Sequence, residues 1–224
     1  MTILKSQIFG GSLIGVYLVA NNSYILFPRL LLKPLIKKLK SVFDKPLFPI
    51  TVNNSNLIGV YTASNKYGII VPNIMKDEEI DDLKTYLRDS AKIRVLKSID
   101  NAFGNLILCN DKGAIISSLL KSKRKEIEDT LNVEVVVYEF ADSYLPGSIA
   151  LANNNGCVVH PLTKDKEIEQ IKSILKVDEI DVSTINRGIP YLSAGAIVND
   201  NSGVFGEAST GPEMMRLTNV LGYF

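Results

Sequence analysis

Leu13-Ile14-Gly15-Val16-Tyr17 stands near the start of the chain, and the same five residues return unchanged as Leu57-Ile58-Gly59-Val60-Tyr61. A pentapeptide used twice points to an internal repeat, and a repeat decides a fold before any single element does. Outward from these copies, short apolar runs lead into polar turns at Asn21-Asn22-Ser23-Tyr24, Asn65-Lys66-Tyr67-Gly68, Asn110-Asp111-Lys112-Gly113, Asn154-Asn155-Gly156 and Asn201-Ser202-Gly203. The turns end at 24, 68, 113, 156 and 203, spaced by 44, 45, 43 and 47, where one fifth of the 224 residues is 44.8. Nine residues before these positions lie Gly15, Gly59, Gly104, Gly147 and Ala194. Asn and Gly in the turns are read as residues that tolerate the positive φ of hairpins. Glycine at one fixed strand position is read as a site of close backbone approach around a central axis.

Beyond each turn comes a second apolar run: Ile25 to Pro28, Ile69 to Pro72, Ala114 to Ser117, Val158 to Pro161 and Val204 to Gly206. Apolar spacing then turns helical, as in Leu35, Ile36, Leu39 and Val42, or Ile168, Ile171 and Leu175. Thr210 and Glu213, with Pro212 between them, read as a capping box opening the last helix. Third strands are predicted at 48–52, 93–96, 133–140 and 180–185. The fifth unit reaches Phe224 without one, while Ile3 to Phe9 is a spare apolar segment. The sequence therefore predicts a single α/β domain of five repeats, about 13–56, 57–102, 103–145, 146–191, and 192–224 plus 1–12. The expected architecture is a pseudo-fivefold α/β propeller, its ring closed by the N-terminal strand.

Such a chain buries roughly 70% of its unfolded surface and needs no disulfide or metal staple. Lys and Arg number 25 against 24 Asp and Glu, a net charge of +1. That argues against a nucleic-acid binder that works by general counterion release, so any such contact is expected to be local. The uncharged run from Ser6 to Pro28 is broken by Asn21-Asn22-Ser23 and contains a mid-chain repeat motif, so neither leader nor membrane span is expected, and a cytoplasmic setting is. No GxxxxGK, GxGxxG or HExxH occurs. No metal, cofactor or catalytic residue is expected. His160 is the only histidine, so any Ser-His or Cys-His chemistry must run through it. Five-unit α/β propellers include guanidine-modifying enzymes with a late cysteine nucleophile, and a centre of Cys157 or Cys109 with His160 is the alternative reading. This chain has no cysteine after Cys157, and both cysteines sit in strand-like surroundings, as buried residues do. The charge runs Lys76 to Asp82 and Lys121 to Asp129 read as outer faces of amphipathic helices. Lys33, Lys37, Lys38 and Lys40 admit two readings, a solvated helix face or contact with phosphate.

Short polar segments precede the equivalent first strands: Asn56-Leu57-Ile58-Gly59, Phe103-Gly104-Asn105, Pro146-Gly147-Ser148 and Asn186-Arg187-Gly188-Ile189-Pro190. Pseudo-symmetry puts them on one face, flat and rich in backbone, which suits docking to a macromolecule better than enclosing a small substrate. Here Gly104-Asn105 with Cys109-Asn110-Asp111, Gly147-Ser148 with Asn154-Asn155-Gly156 and Val159-His160-Pro161, and Thr184-Ile185-Asn186-Arg187-Gly188 with Val198-Asn199-Asp200 resemble the translation initiation factor 6 family. The chain lacks the tail of eukaryotic members and is similar to the archaeal form. The resemblance implies a pentein ring that binds the large ribosomal subunit on its joining face and keeps the small subunit from docking, with a role in subunit biogenesis. Its implied partners are a joining-face ribosomal protein and the sarcin-ricin loop of the rRNA, with no membrane or small-molecule substrate and a monomeric chain. Carried over by motif, the ribosome-binding residues are Gly104, Asn105, Gly147, Ser148, Asn186, Arg187 and Gly188. At two places the chain departs from eukaryotic members, with Asn65-Lys66-Tyr67-Gly68 in place of an Arg-His pair and Ile116-Ser117 in place of His-Pro, so no contact is carried over at those turns.

Overall fold

An asparagine side chain builds each of the five polar turns. The computed structural model describes residues 2–224. In it Asn21, Asn65, Asn110, Asn153 and Asn199 each accept on Oδ1 the backbone N–H groups two and three residues further on, at 2.8–3.2 Å. The carboxamide thus mimics a backbone turn. None of these turns contains a residue with positive φ, contrary to the hairpin reading. Gly68, Gly113 and Gly156 have another use: a Cβ on them would fall on the carbonyl oxygens of Thr130, Ile174 and Val220. They are the places where the helix end of the following repeat touches the turn. The last two turns run Asn153–Gly156 and Asn199–Ser202, which moves the fifth repeat one residue from its sequence register. Ser193, and not Ala194, then occupies the glycine position.

The chain enters through β1 (Thr2–Ser6) and continues with β2 (Val19–Ala20), β3 (Ile25–Pro28), α1 (Lys33–Phe43) and β4 (Leu47–Ile50). Next come α2 (Ile58–Tyr61), β5 (Ala63–Ser64), β6 (Gly68–Pro72), α3 (Asp77–Leu87) and β7 (Lys92–Leu96). The third group is α4 (Phe103–Leu106), β8 (Ile107–Cys109), β9 (Gly113–Ile116), α5 (Arg124–Leu131) and β10 (Glu134–Val137). Then follow β11 (Ala150–Ala152), β12 (Gly156–Val159), α6 (Asp165–Leu175) and β13 (Glu179–Val182). The last group is α7 (Leu192–Gly195), β14 (Ala196–Val198), β15 (Ser202–Gly206) and α8 (Gly211–Val220).

These strands form five three-stranded sheets, β2-β3-β4, β5-β6-β7, β8-β9-β10, β11-β12-β13 and β14-β15-β1. In each, the first pair is antiparallel and the third strand runs parallel to the middle one. The N-terminal β1 completes the fifth sheet, pairing with β15 from Thr2↔Ser202 to Ser6↔Gly206, as the spare segment predicts.

The Gly15, Gly59 and Gly104 positions differ from their strand reading. They lie in single helical turns, Ile14–Val16, α2 and α4, and the strand that follows has only two or three residues. The turn aims Ile14, Ile58 and Phe103 into the core, all with no exposed surface, while the glycine presents its bare backbone to the neighbouring repeat. Five hydrophobic clusters fill the spaces between sheets. Each joins two adjacent sheets, and one of them joins Ile197 and Val204 of the fifth to Ile25 and Phe27 of the first.

The asparagine Nδ2 groups cross these seams. Asn21 donates to Asn65 O, Asn65 to Asn110 O, Asn110 to Asn153 O and Asn153 to Asn199 O, each at 3.1 Å. Asn65, Asn110 and Asn153 also donate to Leu131, Leu175 and Leu221 carbonyls at the ends of the next helices. Asn199 Nδ2 is buried without a partner. Asn110→Ala, which removes four bonds from a buried site, is expected to cost about 2–4 kcal/mol, and Asn199→Ala about half as much. Urea unfolding of the two variants against the parent chain checks that order.

Candidate functional site

The strand directions give the molecule two ends. Each first strand runs from a helical turn to an asparagine turn, and the second and third strands run back, so the loops after β4, β7, β10 and β13 lie at the helical-turn end.

The asparagine end is sealed. Asn22 and Asn154 donate Nδ2 bonds at 2.7–2.9 Å to the carboxylates of both Asp111 and Asp200. The backbone N–H groups of Lys66, Asp111, Asn154 and Asp200 donate to Asp111, Asn154, Asp200 and Asn22 side chains in turn. The cavity beneath this cluster is only about 30 Å³. At the helical-turn end a cavity of about 140 Å³ opens, lined by residues of all five sheets and including Gly15, Gly59, Gly104, Asn105, Gly147 and Ser193. A Cβ on Gly59 would fall on Gly15 O, one on Gly104 on Gly59 O, one on Gly147 on Gly104 O, and one on Gly15 on Ser193 O. The five repeats touch here backbone to backbone.

Around this cavity the third strands end in tight turns. Ile8 bridges Gly11, Val52 bridges Ser55, Phe140 bridges Ser143 and Ile185 bridges Ile189. Their central residues have positive φ: Phe9 and Gly10, Asn53 and Asn54, Ala141 and Asp142, Asn186 and Arg187. Two left-handed residues in succession make a type I′ turn, which non-glycine residues adopt at a cost. Glutamates at the third position of the following helices stabilise three of these turns. Glu79 accepts from Asn53 and Asn54 N–H at 2.7 and 2.9 Å, Glu167 from Ala141 at 3.4 Å, and Glu213 from Arg187 and Gly188 at 3.1 and 2.9 Å. Each also caps its own helix, receiving the N–H of Lys76, Lys164 or Thr210. The Thr210–Glu213 capping box is thus present, and Glu79 and Glu167 repeat its glutamate half behind lysines. Burial alone would raise the Glu213 carboxyl. The N–H groups of Thr210, Gly188 and Arg187 and the Thr184 hydroxyl outweigh burial and hold it at about 2.

The seven residues named from the sequence all lie at this end, in different settings. Gly104 and Gly147 are packing positions, and Gly147 N–H donates to Asn105 O at 3.0 Å. Asn105 is half-buried at the cavity, and its side-chain amide takes no partner among the described residues. Ser148 is buried, its carbonyl receiving the Ser193 hydroxyl. Asn186 is buried too, and it ties the turn after β13 to the N-terminal segment by donating Nδ2 to Ser12 O at 2.8 Å. Arg187 and Gly188 are exposed. Sequence reasoning missed the exposure of the apolar residues Phe9, Leu13, Leu30, Leu32, Ile99, Leu119, Tyr144, Leu162 and Tyr191, which all belong to connections at this end, Leu119 within a short 3-10 helix. Ile99, 97% exposed, stands in the loop before Gly104. Leu30, Leu32, Ile99, Leu119, Tyr144, Leu162 and Tyr191 signal it as apolar residues outside the periodic runs, whereas Phe9 and Leu13 are masked by the apolar runs they belong to.

Cys157 lies buried on β12, and Cys109 is partly buried on β8. Burial pushes the Cys109 thiol up to about 12 and the Cys157 thiol higher still, so both stay protonated and neither is an activated nucleophile. His160 Nδ1 accepts the Leu162 N–H at 3.1 Å, which fixes its ring in a turn. Among the described residues no group of three His, Cys, Asp or Glu side chains could hold a metal ion, and no helix is long and apolar enough to cross a membrane.

The model of the eIF-6 family matches residues 3–220. Translation initiation factor 6 of Methanocaldococcus jannaschii is 38% identical over 226 residues, covering 99% of both chains. The protein of that name from Methanococcus maripaludis is 37% identical over 222 residues, 98% of both. The one from Staphylothermus marinus is 36% identical over 219 residues, 97% of this chain and 96% of its own.

The Glu213 carboxylate gives the fold a pH dependence of definite sign. Its pKa falls from 4.5 to about 2 on folding, so its contribution is complete above pH 4.5 and is lost as pH drops toward 2. Glu213→Gln is expected to lose about 1–3 kcal/mol at neutral pH and to flatten the stability profile between pH 4.5 and 2. Denaturant midpoints measured across that range check both effects.

Proposed function

The chain belongs to the eIF-6 family and is a translation factor, and from that premise we propose that it binds the large ribosomal subunit and sterically prevents the small subunit from joining. We further propose that it acts as a cytoplasmic monomer, with a part in subunit biogenesis. Its architecture, on this reading, is a single closed pseudo-fivefold ring, the five repeats running about 13–56, 57–102, 103–145, 146–191, and 192–224 plus 1–12. In support, the fifth sheet shares a core with the first, β1 completes that fifth sheet, and Asp200 N–H meets Asn22 Oδ1 at 3.0 Å.

The observation that carries the docking reading is the one-sided surface. Exposed apolar side chains, the open backbone of Gly10 and Gly188 and the free Asn105 amide share the helical-turn end, while the other end is closed by its own hydrogen bonds. Stable protein docking wants an apolar centre with a few polar groups at its edge. The joining-face ribosomal protein would meet this end, with Gly104, Asn105 and Arg187 at the contact and the sarcin-ricin loop beside it. The buried Gly147, Ser148 and Asn186 would act there by shaping the surface, and the exposed Gly188 by opening it. Occlusion makes and breaks no covalent bond, consistent with two protonated thiols and a histidine held in a turn.

Co-sedimentation with separated archaeal subunits, run beside a subunit-joining assay, tests the proposal. Comigration with the large subunit alone and fewer joined ribosomes are the expected results. Binding to neither subunit would overturn it. Asn105→Ala is expected to weaken large-subunit binding roughly tenfold, a loss of about 1.4 kcal/mol, with an unchanged unfolding midpoint.

A further inference from the structure

The near-zero net charge conceals a strong separation of charge. Helix α1 carries Lys33, Lys37, Lys38 and Lys40 with no acidic residue, whereas α3 carries Asp77, Glu78, Glu79, Asp81 and Asp82 against Lys84 alone. All four α1 lysines are exposed, and among the described residues none pairs with a carboxylate. Elsewhere Lys84 pairs with Asp81, Lys123 with Glu126 and Lys125 with Asp129, and Lys166 and Lys172, unpaired among the described residues, share α6 with Asp165, Glu167 and Glu169, acids of a kind that α1 lacks. The first acidic residue in the chain is Asp44, exposed at the C-terminal cap of α1, and the next is Asp77 at the start of α3, whose Asp82 is paired with Arg29. Lys45 follows Asp44 and restores the positive balance.

This arrangement works against the helix itself. Lys33 and Lys37 are four residues apart and Lys37 and Lys40 three apart, like-charge spacings that destabilise a helix. Lys33 also stands at the first helical position, where the macrodipole favours anions. A helix that sets four unneutralised charges on its surface is suited to an external polyanion. All four cations are lysines, compact point charges of the kind that meet backbone phosphates without a fixed fork geometry. No exposed aromatic lies on α1 to stack an unpaired base, which favours the regular backbone of a duplex over a single strand. The N-terminus of α1 follows Leu30 and Leu32 at the helical-turn end, so the charged face continues from the proposed docking surface around its edge.

We infer that α1 is an RNA-binding face, its lysines taking backbone phosphates of a double-stranded RNA segment beside the docking end. The placement of that RNA on a ribosome rests on the proposed function; the affinity of α1 for duplex phosphates does not. Four phosphate contacts give a slope of log affinity against log salt of about −3 to −4. The test compares the parent chain with a variant carrying Lys33→Gln, Lys37→Gln, Lys38→Gln and Lys40→Gln, whose helix loses its like-charge repulsion and keeps its fold, as a thermal melt verifies. Fluorescence anisotropy with an RNA duplex of about 20 base pairs should show salt-dependent binding by the parent that drops at least tenfold in the variant, and weaker binding of polyglutamate. Equal duplex binding by the two proteins, no duplex binding by the parent, or a preference for polyglutamate would overturn the inference. On large subunits the variant should dissociate at lower salt than the parent. If both bind subunits with the same salt dependence, α1 touches no RNA there and the docking proposal stands. If neither binds subunits, the docking proposal fails and the duplex measurement still decides the role of α1.

Discussion

One carboxamide, used five times, couples local turn to tertiary assembly in this molecule. The oxygen of Asn21, Asn65, Asn110, Asn153 or Asn199 folds its own hairpin, and in four of the five the nitrogen reaches the backbone of the next repeat. Buried amides are tolerated only when fully hydrogen-bonded, so each hairpin reaches its satisfied state together with its neighbour. The exception, Asn199, marks the contact between the fifth repeat and the first. There Asn22 with Asp200, and the core shared by Ile197 and Val204 with Ile25 and Phe27, hold the two together.

The same repeat makes two unlike ends. Polar side chains close on one another where the asparagines gather, leaving few groups for a partner. At the other end, type I′ turns hold backbone in left-handed conformations, and three helix-cap glutamates fix them. Energy that would otherwise go into relaxed loops is stored in a rigid, partly apolar surface, which loses little conformational entropy on docking. The charge separation between α1 and α3 adds direction to that surface without adding net charge.

Much of this was legible in the sequence. The doubled Leu-Ile-Gly-Val-Tyr, the 43 to 47 residue spacing and the unpaired Ile3 to Phe9 segment led to five α/β units and to a first strand that completes the last. The register of the fifth unit slipped because Asn199 and Asn201 offer two polar starts two residues apart, and only hydrogen bonding distinguishes them. The helical turns at Gly15 and Gly59 were hidden by β-favouring neighbours, Ile and Val, whose local preference yields to backbone packing between repeats. The glycines of the polar turns were ascribed to φ when their reason is distance to the next helix. Of the seven candidate contact residues, all fall at one end, yet Gly147, Ser148 and Asn186 are buried, a distinction that sequence spacing does not carry. The roles of Glu79 and Glu213 as clamps on distant turns needed the fold to bring them within reach.

The central claim is that the helical-turn end, and not the asparagine end, meets the large subunit. Hydroxyl-radical footprinting of the chain alone and on purified large subunits tests it most directly. The account predicts that Phe9, Ile99, Tyr144 and Tyr191 lose reactivity on the subunit while Tyr67, in the second asparagine turn, keeps it. Loss of reactivity at Tyr67 with Ile99, Tyr144 and Tyr191 unchanged would contradict it.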